Sequence, residues 1–127
     1  MFVILGIGTD LIEHVRVQRE LDQGPWTDGD GIFTAQEIAR CRSCKRPVAR
    51  YAACFAAKEA TLKAIGIEIP DLAMFREVEL GEDREGVHML LLHGRARAES
   101  EELGVRRINL SIAVARKLTG AMVVLES

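Results

Sequence analysis

Two ammonium groups and one carboxylate stand among small and apolar residues in Phe55-Ala56-Ala57-Lys58-Glu59-Ala60-Thr61-Leu62-Lys63-Ala64-Ile65-Gly66. That mixture suits a phosphate gripped through a divalent cation, since magnesium is commonly held by one or two carboxylates plus substrate phosphate oxygens and water. Read as a helix, the stretch puts Tyr51, Phe55, Lys58, Leu62 and Ile65 on one stripe, with Lys58 interrupting an apolar run. A plainer account competes. Lys58 can lay its methylenes on apolar surface and lift its charge into water, while Glu59 and Lys63 form an i,i+4 pair worth about 0.2–0.5 kcal/mol.

The surrounding charge favours the chemical account. From Arg40 to Lys63 the bases Arg40, Arg42, Lys45, Arg46, Arg50, Lys58 and Lys63 face the single acid Glu59, a local charge of +6. Elsewhere ten basic residues face eighteen acidic ones, which restores the net −2 of the 127-residue chain. Such segregation points to a local polyanion site rather than to general adhesion to nucleic acid or membrane. A second acid, Asp10, follows the β-branched run Phe2 to Ile7 in Gly6-Ile7-Gly8-Thr9-Asp10. The run reads as a buried strand with Asp10 at its carboxyl end.

These residues need elements to hold them, and the length fits one domain spanning 1–127. The longest apolar stretches, Met1 to Leu5 and Met89 to Leu92, are too short to span a bilayer, and no charged leader precedes them, so a cytoplasmic address is expected. Cys41, Cys44 and Cys54 are odd in number and lack a second Cys-x-x-Cys pair, which favours free thiols over zinc. His14, His88 and His93 are scattered. Asp28 and Asp30 begin a calcium-loop pattern that fails at Ile32. Leu11 to Leu21 reads as a turn and short helix with Arg16 and Arg19 one turn apart, and Gln23 to Gly31 as loop.

Thr34-x-x-Glu37 is a capping-box signature. Pro47 ends that helix or opens the next, a long one from about Val48 to Ile65 that stops at Gly66. Phe75 to Leu80 and Val87 to Leu92 read as strands of a hairpin, Arg95 to Leu103 as a helix closed by Gly104, and Arg107 to Val114 and Ala121 to Leu125 as strands. Ala115 to Leu118 is open to a helical turn. The order implies an α+β fold with helices packed on a largely antiparallel sheet.

With Gly6-Ile7-Gly8-Thr9-Asp10-Leu11-Ile12-Glu13 and Phe55-Ala56-Ala57-Lys58-Glu59-Ala60 followed by Lys63-Ala64-x-Gly66, the chain resembles the holo-acyl-carrier-protein synthases, the small 4′-phosphopantetheinyl transferases. Phe33-Thr34-x-x-Glu37, Phe75 to Leu80 and Ala121 to Glu126 extend the resemblance over nearly the whole chain. It implies transfer of the phosphopantetheine arm of coenzyme A to a serine of apo-acyl carrier protein, with magnesium, in the fold of those transferases. By motif, Asp10 and Glu59 would ligate the metal and Lys63 would hold the reacting pyrophosphate. Lys45 and Arg46 match basic positions near the adenosine phosphates; Arg50, Lys58 and Gly66 complete the expected coenzyme A contacts. Arg16, with Arg19, would face the acidic carrier. The resemblance further implies a homotrimer with active sites between subunits. The serine proton would pass to Glu59, to water on the metal, or to another carboxylate.

Four residues at three places depart from the family pattern. Cys54 stands where an arginine usually precedes the Phe-Ala-Ala-Lys-Glu-Ala run, Ile67-Glu68 replaces Thr-Gly, and Val114 replaces the histidine of a Ser-x-Ser-His run. Retention of Asp10, Glu59 and Lys63 favours an active transferase. Cys54 and Val114 leave open a catalytically impaired relative that binds coenzyme A or the carrier.

Overall fold

The computed structural model describes residues 2–127. In chain order it contains β1 (Ile4–Glu13), α1 (His14–Gln23), a 3-10 turn (Pro25–Thr27), α2 (Ala35–Ser43), α3 (Pro47–Ile65), α4 (Leu72–Glu77), β2 (Val78–Glu82), β3 (His88–Leu92), α5 (Gly94–Leu103), β4 (Arg107–Val114) and β5 (Leu118–Glu126). The α+β expectation holds. One antiparallel sheet has the order β1-β5-β4, and β2 and β3 form a separate antiparallel hairpin.

The core is built around α3, in which fourteen of nineteen residues are buried. Pro47 supplies a preset φ at the first helical position, where no N–H is needed. Gly66 ends the helix in the left-handed region at φ 93°, with its N–H donating to the carbonyls of Leu62 and Lys63. Upstream, the capping box forms in full: Glu37 N–H donates to Thr34 Oγ1 and Thr34 N–H to Glu37 Oε1.

The many alanines of α3 let β1 approach its backbone closely. A Cβ on Gly8 would lie 1.8 Å from the Ala60 carbonyl oxygen, and one on Gly6 would lie 2.0 Å from that of Ala64. No side chain fits there, so Gly6-x-Gly8 is a packing device, one glycine per helical turn of the partner. Alternation along the strand then puts Gly6, Gly8, Asp10 and Ile12 on the face toward α3.

Four expectations need correction. β1 is longer than the apolar run and only half-buried, because its other face, with Ile7 at 57% and Leu11 at 64% exposure, looks away from α3. Asp10 therefore lies within the strand, opposite Ala121, not at its end. Phe75 to Leu80 is not all strand. The Asp71 carboxylate accepts the Met74 N–H at 3.0 Å, opening the helical turn of α4, and the strand begins at Val78. Finally, Ala115 to Lys117 make a tight turn closed by the Ala115 N–H to Leu118 carbonyl bond, not a helix.

The three thiols are free, with Cys41 and Cys54 buried. Among the described residues no helix is long and apolar enough to cross a membrane.

Candidate active site

Asp10 of β1 and Glu59 and Lys63 of α3 meet where the strand crosses the helix. Lys63 Nζ lies 3.1 Å from Asp10 Oδ1 and 3.2 Å from the Thr9 carbonyl oxygen, so this lysine ties α3 to β1 instead of closing an i,i+4 pair with Glu59. Asp10 Oδ2 is buried and has no hydrogen-bond partner among the described residues. Burial raises the Glu59 carboxyl above its ordinary range and the Asp10 carboxylate adds to this, with Lys63 and Arg16 opposing. Two carboxylates that repel one another, one with an orphaned oxygen, form a pair that a cation would relieve.

Lys58 is placed elsewhere, contrary to its expected contact with coenzyme A. It is 0% exposed, and its three donors are spent on Glu37 Oε1 at 2.7 Å and the Phe75 and Val78 carbonyls at 2.8 and 2.7 Å. Nothing remains for a phosphate. Burial pulls its pKa below the ordinary lysine value while Glu37 resists. Glu37 in turn accepts the Leu80 N–H on its second oxygen, so this ion pair clamps α2, α3 and β2 together. The capping box is local and readable from spacing, whereas the Lys58 partner of Glu37 lies 21 residues on and leaves no signal in the sequence.

Lys45, Arg46 and Arg50 gather at the other end of α3. With Cys44, Ala49, Ala53, His88, Ile112 and Val114 they line a cavity of about 330 Å³. Arg50 donates to Glu82 Oε1 at 2.6 Å. His88, dismissed as scattered, is brought here by β3; its pKa is lowered by burial and then by the charge of Arg50. No spacing in the chain could reveal it. Of the departures, Val114 lines this cavity, whereas Cys54 turns inward, its sulfur 3.9 Å from that of Cys41. A larger cleft of about 470 Å³ between α1 and the start of α3 shares Arg46 and is lined otherwise by His14, Val15, Gln18, Pro47, Val48 and Ala49.

Arg16 is exposed on α1 with its Cζ 5.8 Å from the Phe55 ring centroid, on the rim near Glu59. Phe55 stacks on Trp26 at 4.8 Å, fixing the platform beneath it. Arg19 follows one turn on, also exposed. Gly66 contributes the helix cap at the Lys63 end of α3.

A family model, that of the 4′-phosphopantetheinyl transferase superfamily, matches residues 6–115. The holo-[acyl-carrier-protein] synthase of Solibacter usitatus is 40% identical over 125 residues, covering 98% of this chain and 100% of that protein. Among solved structures, holo-[acyl-carrier-protein] synthase from Neisseria meningitidis aligns with a TM-score of 0.86 at 31% identity, over 98% of this chain and 100% of the other. The synthase from Bacillus anthracis, solved in complex with CoA (3′,5′-ADP), aligns with a TM-score of 0.77 at 32% identity, over 98% and 97%.

Proposed function

Because the chain belongs to the 4′-phosphopantetheinyl transferase superfamily, we propose that it is a holo-acyl-carrier-protein synthase. It moves the 4′-phosphopantetheine arm of coenzyme A to a serine of apo-acyl carrier protein and releases adenosine 3′,5′-bisphosphate. The observation that carries this reading is the orphaned Asp10 oxygen beside Glu59 and Lys63.

In the transfer, the serine oxygen bonds to the β-phosphorus of the pyrophosphate while the bridging bond to the nucleotide breaks. Such transition states spread charge over the phosphoryl oxygens, so positioning and neutralisation do most of the work. Asp10 and Glu59 suit magnesium, as hard oxygen donors with one lone pair set left unused. Bound there, magnesium would lend positive charge to the pyrophosphate. Lys63 sits on a flexible stem, its side chain 51% exposed, and can exchange Asp10 for the phosphate oxygens. Lys45, Arg46 and Arg50 would receive the nucleotide end. Arg16 and Arg19 offer exposed positive charge on the rim to an acidic carrier.

The outward face of the β1-β5-β4 sheet supports a homotrimer with active sites between subunits. Ile7, Leu11 and Met122 lie on it at 57%, 64% and 45% exposure, an apolar surface that association would cover. The three free thiols agree with a reducing cytoplasm.

Mass spectrometry of apo-acyl carrier protein incubated with coenzyme A, with and without magnesium, tests the reading. A metal-dependent gain of one phosphopantetheine is expected; no transfer to any carrier would leave only a binding protein. In the same assay Arg16→Glu should raise the Michaelis constant for the carrier about tenfold, and an unchanged constant would remove Arg16 from the docking surface.

A further inference from the structure

Two side chains that line the cavity at the start of α3, Arg50 and His88, each carry a polar atom that the fold leaves without a partner. His88 Nδ1 and Arg50 Nε are both buried, and neither has a hydrogen-bond partner among the described residues. Buried polar groups are satisfied in roughly nine cases in ten, so two in the lining of one cavity ask for a common acceptor. Its lining says which kind. Lys45 and Arg46 are exposed cations of the lining, while Ala49, Ala53, Ile112 and Val114 give it an apolar wall. The acid nearby, Glu82, already accepts from Arg50 and faces His88 across the β2-β3 pair. It holds the guanidinium by one terminal nitrogen and leaves Nε without a partner.

We propose that His88, acting with Arg50, binds the phosphate monoester at the nucleotide end of coenzyme A and is a specificity-determining residue of this chain. The inference rests on the transferase reading above and deepens it. His88 reaches the site from β3, so the β2-β3 hairpin becomes part of the nucleotide site. The phosphate oxygens supply the acceptors that both orphaned nitrogens lack. An imidazole whose charge is disfavoured by burial and by Arg50 becomes cationic at low cost once a dianion enters beside it, with Lys45, Arg46 and Arg50 sharing the neutralisation and Glu82 opposing it.

Calorimetric binding of adenosine 3′,5′-bisphosphate and of adenosine 5′-monophosphate tests the assignment, because the two ligands differ by the phosphate in question. His88→Ala should weaken the bisphosphate about tenfold, the loss of one charge-assisted hydrogen bond, and change the monophosphate less than twofold. His88→Asn, which keeps a donor near the Nδ1 position, should recover most of the loss; if the alanine variant does not fold, His88→Leu is judged in its place by the same ratio. In transfer assays the Michaelis constant should rise for coenzyme A but not for dephospho-coenzyme A. Equal losses for both nucleotides, or no loss for either, would overturn the proposal. A wild-type protein that transfers nothing yet shows the selective loss with His88→Ala would sink the transferase reading and leave the phosphate site standing.

Discussion

Lys63 ends at the surface with its ammonium on Asp10, whereas Lys58, five residues earlier, spends all its donors inside the protein. Their chemistry follows from that difference. Removing Lys58 strands the Glu37 carboxylate in a site with 0% exposure, so Lys58→Met should cost about 3–5 kcal/mol in urea unfolding. A wild-type midpoint would contradict the clamp. By contrast, Asp10→Ala and Glu59→Gln remove negative charge from a crowded pair and should fold normally while transfer falls about 100-fold or more, read by single-turnover mass spectrometry. Full modification of the carrier by either variant would strike that residue from the metal site. The sequence exposed the distinction only in part: helical periodicity set Lys58 on the buried stripe, but its partner lies 21 residues upstream, in a separate helix. Glu59 stood out as the lone acid of a basic segment, whereas Asp10 and Lys63 were joined to it by the motifs of the resemblance, since nothing in their spacing shows that β1 crosses α3 there.

Elements were most legible where a local rule fixes an end. The capping box at Thr34, the proline at 47 and the glycines at 66 and 104 all bound the helices they were expected to bound. Legibility failed where a cap lacks the reciprocal Glu or Gln of a capping box and the helix it opens is short. Asp71 opens α4 in a run whose Phe75, Val78 and Leu80 also suit a strand, and both periods fit so few residues. The close crossing of β1 on α3 is also hidden from propensity, since a Gly-x-Gly pair reads equally as a turn or a nucleotide loop. Its test is Gly8→Ala. The added methyl cannot occupy a position 1.8 Å from a carbonyl oxygen, so β1 and α3 must part, costing about 1–3 kcal/mol or more and separating Asp10 from Lys63. Unchanged stability together with unchanged transfer would show that the crossing tolerates slack.

At the scale of the whole molecule, composition revealed a basic segment in an acidic chain, and the fold divides it between two sites at opposite ends of one helix. Arg50 and Glu59 are nine residues apart, about 14 Å along the axis. A ligand with a nucleotide at one end and a reactive pyrophosphate toward the middle requires two such anchors, and in the trimer proposed above a neighbouring subunit on the open sheet face would supply one of them. Met122→Glu and Leu11→Glu put charge on that face and should yield monomers in light scattering with transfer reduced at least tenfold. Trimers that persist in both variants would move the interface elsewhere. The open face was not legible, because an apolar strand start looks the same whether another element or another chain covers it. There is also a kinetic side to so much converging on α3. With fourteen of nineteen residues buried, its amides should open to hydrogen exchange only when the entire domain unfolds. Within one subunit, Asp10, Glu59 and Lys63 should then keep their mutual placement until the fold itself is lost, with no intermediate that keeps its shape after these groups have drifted apart.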